Sequence, residues 1–275
     1  MSQPKPIKRL VYFDTDTFHH FATTYQNRLL PVRLRGRIVL SPITMLEVFS
    51  HLVWESTQNQ LRGIVNWIEE RTVPLMAWPD EQITEMVSGT QAKDDWFLMA
   101  VAGILTGCFM GNASWELEDI RELQDKVTEF KEQRADYFPA LVECCKNGPE
   151  LVTNFGGEWL KCVVPGLNEL KLNSSGEAQL LAALSAYHEF EVEKLKVAIA
   201  NPSYNPSKHK NDALDARQLV YLCDRSLHFL VCDNGYLTKV RQSAQRSRIH
   251  QTSQKTLSDP DKIEALLANI LGSTE

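Results

Sequence analysis

The stretch RLVYFDTDTF, residues 9–18, decides the fold. Its apolar run shows no polar alternation, the pattern of a strand buried on both faces in a parallel sheet. The run closes on Asp14, Asp16 follows two residues later, and a helix-like TFHHFATTYQNRLL leads to Pro31. A carboxylate at the carboxyl end of a parallel strand lies where open α/β sheets place their active sites.

Working outward, the same grammar recurs. RIVLSP (37–42) reads as a second strand stopped by Pro42, with ITMLEVFSHLVWES as the helix behind it, carrying Glu47 on an amphipathic stretch. A helix through QLRGIVNWIEERT leads to TVPLMAWP (72–79), a third strand. Near the other end, NDALDARQLVYLCDRS (211–226) is a helix bearing Asp212 and Asp215, three apart on one face. LHFLVCD (227–233) is a fourth strand ending at Asp233, and the least defined strand, a fifth, falls near Arg248–Thr252. Several acidic strand ends meeting in one crevice form an all-oxygen pocket, which suits Mg²⁺ or Mn²⁺ far better than zinc.

Between these segments the pattern turns helical. SWELEDIRELQDKVTEFKEQRADYF (114–138) sets Ile120, Leu123, Val127 and Phe130 at three- and four-residue steps among charges. GEAQLLAALSAYHEFEVEKLKVAIA continues to Ala200 behind a start signal at Ser174–Ser175, and NPSYNPSKHK (201–210) is a loop. The expected division is therefore 1–79 as the first part of an α/β core, 80–204 as a helical insertion, and 205–275 as the second part of the core. Such an insertion exceeds any ordinary connection. It is expected to act as a helical cap beside the crevice or as a surface for a second copy of the chain.

Composition bounds the function. With 275 residues and 43% apolar content, the chain has ample material for a core. No apolar run approaches the roughly 20 residues of a membrane helix, and MSQPKPIKRL lacks the character of a secretory signal. The six cysteines form no C-x-x-C pair, so reduced thiols in a cytoplasmic protein are expected. A net charge of −6 argues against nonspecific nucleic-acid binding by the whole surface, though not against a local basic site.

The order strand–Asp, strand–Ser–helix–Glu, helix with Asp, strand–Asp resembles that of PIN-domain nucleases. FDTDTF resembles the family's first motif, with Asp16 where Asn or Ser is usual. SPITMLEVF resembles the second, NDALDARQLVYL the third, and VCDNGYL the fourth, with Cys232 replacing a threonine. The match spans roughly residues 8–79 and 205–250. It implies an open, mostly parallel sheet flanked by helices in strand order 3-2-1-4-5, interrupted by the long helical insertion. It also implies a divalent-metal-dependent endonuclease, an RNase before a DNase, in the role of a toxin or defence effector. Asp14, Glu47, Asp215 or Asp212, and Asp233 would hold Mg²⁺ or Mn²⁺ and carry catalysis, with Asp16 and Ser41 behind them. One or two such ions would lower the pKa of the attacking water and neutralise charge on the phosphoryl oxygens. The partners implied are nucleic acid and, for a toxin, a separate inhibitor protein.

Plainer readings stand beside these. Asp14, Asp16 and Asp212 each fit a helix cap, and Asp233–Asn234–Gly235 fits a turn. No histidine pair, including His19–His20, has the spacing of a zinc site. Lys239, Arg241, Arg246, Arg248 and Lys255 lie in a stretch without acids after the fourth motif and are candidates for phosphate contact, as are Lys208 and Lys210. Two other functional classes stay open. One is a PIN-like scaffold that binds protein without catalysis. The other is a haloacid-dehalogenase-like phosphatase, suggested by the D-x-D of FDTDTF. That family's Thr or Val four residues on is Phe18 here, and its late Gly-Asp-x-x-x-Asp run is missing.

Overall fold

The computed structural model describes residues 8–50, 63–64, 66–68, 70, 73–88, 117–148, 174–201, 203–205 and 212–272. In chain order the elements are β1 (Leu10–Phe13), α1 (Thr15–Tyr25), α2 (Pro42–Ser50), α3 (Pro79–Ser88), α4 (Leu117–Asn147), α5 (Ser174–Ala183), α6 (Ser185–Ala200) and α7 (Asp212–Gln218). After a 3₁₀ turn come β2 (Leu227–Val231), α8 (Gly235–Lys239), β3 (Ile249–Gln251), α9 (Gln254–Leu257) and α10 (Pro260–Leu271). The chain is thus mixed α/β with a small parallel sheet. It divides into two compact units, one of residues 1–76, 224–233 and 248–275, the other of residues 77–223 and 234–247. The segments 205–223 and 234–247, expected in the α/β core, belong to the second unit.

The first unit holds the sheet, ordered β1-β2-β3 and parallel throughout. Leu10 pairs with Leu227 and Phe13 with Leu230; Phe229 pairs with Ile249 and Val231 with Gln251. All five residues of β2 are buried, His228 among them, as a strand covered on both faces of a parallel sheet requires. The expected second and third strands are reduced to single parallel bridges, Val11 to Ile38 and Leu40 to Leu75. Pro42 and Pro74 bracket these pairs, and a proline donates nothing to a ladder. The segments in contact run 75, 38–40, β1, β2, β3, so the chain order reverses between β1 and β2.

Aromatic side chains consolidate this unit. Tyr12 stacks on its β2 partner Phe229 at 4.6 Å between ring centroids, and Phe13 stacks on Phe21 of α1 at 4.8 Å. Phe18, Phe21, Ala22 and Tyr25, at helical spacing, form the buried face of α1. Gly36, at φ 64°, adopts the left-handed conformation that glycine tolerates and turns the chain into the 38–40 segment. Helix α10 begins at Asp259, which caps Lys262 N–H, with Pro260 opening the first turn. Its last carbonyls are met by arginines. Arg9 donates to Ile270 O and Arg37 to Leu271 O, each at 3.1 Å. Cations at a helix carboxyl end both satisfy orphan acceptors and oppose the dipole.

The second unit is helical. Phe138, Val142 and Cys145 of α4 pack against Leu195 and Ala198 of α6. The helix expected over 114–138 runs in the described residues from Leu117 to Asn147, through Pro139. The helix expected from Ser174 to Ala200 is broken at Leu184 into α5 and α6. Gln245 supplies both caps at the break. Its Nε2 donates to Ala182 O at 3.1 Å and Ala183 O at 2.6 Å, while its Oε1 accepts from Ala186 N–H at 2.7 Å and Ser185 Oγ at 2.6 Å. One buried amide thereby answers orphan acceptors of one helix and an orphan donor of the next.

Candidate functional site

In the first unit, Asp14 follows directly on β1 and its own N–H still reaches Leu230 O of β2 at 3.3 Å. Its carboxylate accepts Thr17 N–H at 3.0 Å, capping α1. The plain reading of Asp14 as a cap is therefore true, and it is not the whole account. The residue is 6% exposed, and burial pushes its carboxyl up to about 7, against the lowering effect of Thr17. The neighbouring charges of Asp16 and Asp233 push it further. A capping aspartate in solvent would be ionised throughout this range.

Thr17 ties the site together. Its hydroxyl bonds the Asp14 side chain and accepts Cys232 N–H at 2.7 Å, fastening α1 to the carboxyl end of β2. The next residue is Asp233, exposed, two positions beyond β2. Burial pushes the Cys232 thiol up against the lowering hydrogen bond of Thr17, and the charges of Asp14 and Asp16 add to the rise.

Helix α2 brings a further carboxylate. Thr44 donates to Phe13 O, the last carbonyl of β1, at 2.8 Å. One turn on, the half-buried Glu47 accepts the hydroxyl of Thr15, the residue after Asp14. Ser41, expected beside the carboxylates, is buried and accepts Ile43 N–H at 3.2 Å, the bond of a helix start. Asp16 is exposed in the first turn of α1 and acts on Asp14 through its charge. The sequence reading overlooked Thr15, Thr17 and Thr44. The signal for Thr17 was present, since a residue three after an aspartate that ends a strand is where a cap finds its donor.

The remaining expected ligands lie in the second unit. Asp212 is buried and paired with Lys194 Nζ at 2.5 Å. Asp215 accepts the hydroxyl of Tyr236 at 3.0 Å. Among the described residues, no three His, Cys, Asp or Glu side chains are placed to hold one metal ion. Donor chemistry is a separate matter. Asp14, Glu47 and Asp233 are hard oxygen donors, and a carboxyl held near neutrality by burial and like charge is one that a cation would ionise. Mg²⁺ commonly binds through one or two carboxylates with water and substrate phosphate completing its shell. The residues fit that open mode and not a closed cage.

The basic candidates separate. Arg248 belongs to the first unit and donates to Asp224 O at 2.5 Å and Leu227 O at 3.1 Å. These carbonyls lie at the amino end of β2, the sheet edge opposite Asp14 and Asp233. Arg248 acts there as a structural strut. Lys239 and Arg241 lie in the second unit, as does Arg246 of the 3₁₀ turn before β3; Lys208 and Lys210 lie outside the described residues. No described helix is long and apolar enough to cross a membrane. No family model, curated protein or solved structure matches the chain.

Proposed function

We propose that the protein is a PIN-like, divalent-metal-dependent endonuclease, acting on RNA before DNA, in the role of a toxin or defence effector checked by a separate inhibitor protein. One observation carries the reading. Asp14 and Asp233 stand at the carboxyl ends of β1 and β2, the two strands between which the chain order reverses, and Asp14 feels the charge of Asp233. Open parallel sheets bind their ligands at that point.

In this reading Asp14 and Asp233 hold the ion, with Glu47 joining from α2. When bound, the ion would neutralise phosphoryl oxygens and lower the pKa of the attacking water. The protein's own groups do the positioning. Thr17 fixes the distance between the ends of β1 and β2, and Thr15 holds Glu47 toward the same edge. Asp16 keeps the local potential negative, favouring a cation. A second reading, a PIN-like scaffold that binds protein without catalysis, is favoured by the absence of any three-ligand group among the described residues.

Incubation with single-stranded RNA, single-stranded DNA and a small phosphomonoester, with Mn²⁺ and with chelator, tests the proposal. RNA cleavage abolished by chelator is the expected result. Hydrolysis of the phosphomonoester alone would replace the nuclease by a phosphatase, and inertness toward all three would leave the scaffold.

A further inference from the structure

The first unit carries a basic surface at the amino end of β1, away from its acidic edge. The stretch NRLLPVRLRGR, residues 27–37, joins α1 to the 38–40 segment and holds four arginines and no acid. Lys8 and Arg9, just before β1, adjoin it. Arg37 Nε donates to Arg9 O at 2.8 Å, and the Lys8 ammonium lies 3.9 Å from where a Cβ on Gly36 would stand. Among the arginines, Leu29 and Val32 are 59% and 79% exposed. We propose that this surface docks an acidic segment of a second protein, with carboxylates on the arginines and an apolar side chain against Leu29 and Val32. The inference is independent of the nuclease reading.

The positive charge survives a full count. Arg33 is paired with Glu264 of α10. Arg9, Arg35 and Arg37 donate to the carbonyls of Ile270, Leu30 and Leu271, neutral groups that leave each charge in place. The end of α10 adds only a partial negative charge. Leu10 N–H bonds Ser226 O, which sets Asp224 and Arg225 beside Arg9, and these two offset one another. Trp67 Nε1 donates to Arg28 O at 3.5 Å, and the acid described on that neighbouring segment is Glu70. With Glu264, Glu70 and Asp261 of α10 all counted at full charge, the six cations Lys8, Arg9, Arg28, Arg33, Arg35 and Arg37 keep an excess of three among the described residues.

The connection is held in shape before any partner arrives. Leu30 and Leu34 are buried beneath it, and Leu34 N–H closes a turn on Pro31 O at 2.8 Å. Leu29 and Val32 are left as an apolar tip rimmed by charge, the form of a protein contact. The chemistry selects among anions. Single-stranded nucleic acid calls for aromatic platforms, and the exposed apolar groups here are aliphatic. An anionic lipid surface attracts lysine and arginine alike. Here five of the six cations are arginine, and Arg9, Arg35 and Arg37 are fixed by backbone bonds. A fixed guanidinium fork matches a carboxylate, and arginine is enriched in protein interfaces where lysine is depleted.

The test is binding of the full chain to a short labelled peptide of glutamate interspersed with leucine, compared with its serine-for-leucine counterpart, oligouridylate of equal length and phosphatidylserine vesicles. The leucine peptide should bind best, and more weakly as salt rises. Arg28→Gln and Arg35→Gln should each weaken it about threefold, and Val32→Ser about fivefold. Lys146→Gln removes an exposed charge paired with Glu143 in the other unit, and should match the parent. Failure of the leucine peptide to bind, or a preference for the serine peptide, the oligonucleotide or the vesicles, overturns the proposal. So does parent-like binding by Arg28→Gln and Val32→Ser, or an equal loss in Lys146→Gln. None of these outcomes depends on cleavage, so the nuclease reading stands or falls separately.

Discussion

Asp14 accepts Thr17 N–H as a helix cap while lying buried within reach of the charges of Asp16 and Asp233. These demands conflict, and the conflict is measurable. An acid whose folded pKa is raised holds a proton that the unfolded chain has released, so it costs stability as pH climbs from 3.8 to about 7. The upper bound for that span is about 4 kcal/mol. Asparagine caps as well as aspartate and carries no charge. Asp14→Asn, without metal, should therefore be more stable than the parent at pH 7 and no more stable near pH 4, as denaturant titrations at the two values would read. His228 works in the opposite sense. It lies 2.9 Å from His250, and burial, then His250, Arg9 and Arg248, push it down to about 4. A base with a lowered folded pKa costs stability as pH falls from 6.5 to about 4. In the parent the two effects partly cancel. In the Asp14→Asn background the opposing effect of Asp14 is gone, and His228 should make stability fall with acidification by up to about 3 kcal/mol. A flat profile in that background would mean that the His228–His250 pair accepts a proton readily.

The break between α5 and α6 shows what a single amide contributes at the level of elements. Gln245 holds four groups there. Gln245→Ala should cost about 3 kcal/mol, since buried donors and acceptors lose their partners. Amide hydrogen exchange should quicken first around Ala186. No local signal in SSGEAQLLAALSAYHEF marks this break, because its cause sits about sixty residues away. The strands are a different case. β1 and β2 were legible because LVYF is an uninterrupted apolar run and LHFLV is broken only by His228, and with them Asp14 and Asp233, which follow those runs. The 38–40 and 75 segments read as strands equally well, yet pair through one bridge each, because ladder length depends on the partner as well as on the run. Helix α4 runs past its expected end at Phe138, through Pro139 to Asn147. Glu47 was read from its apolar surroundings; the hydroxyl that orients it, on Thr15, belongs to another element. The pairing of Asp212 with Lys194 and the strut role of Arg248 were likewise hidden, both being contacts between distant segments.

At the scale of the molecule, the first unit places acidic side chains at the ends of adjacent parallel strands. The nuclease account requires the acids to take up a divalent ion that the unfolded chain does not bind. Binding to the native state alone raises the thermal midpoint in proportion to ln(1 + [L]/Kd). The most direct measurement is the Mn²⁺-induced shift in thermal midpoint of the parent, Asp14→Asn and Asp233→Asn, with cleavage of single-stranded RNA followed in the same samples. The account predicts a rise and metal-dependent cleavage in the parent, and the loss of both in each variant, with neither variant less stable than the parent when metal is absent. Variants that cleave at the parent's rate, or that gain as much stability from Mn²⁺, would contradict it.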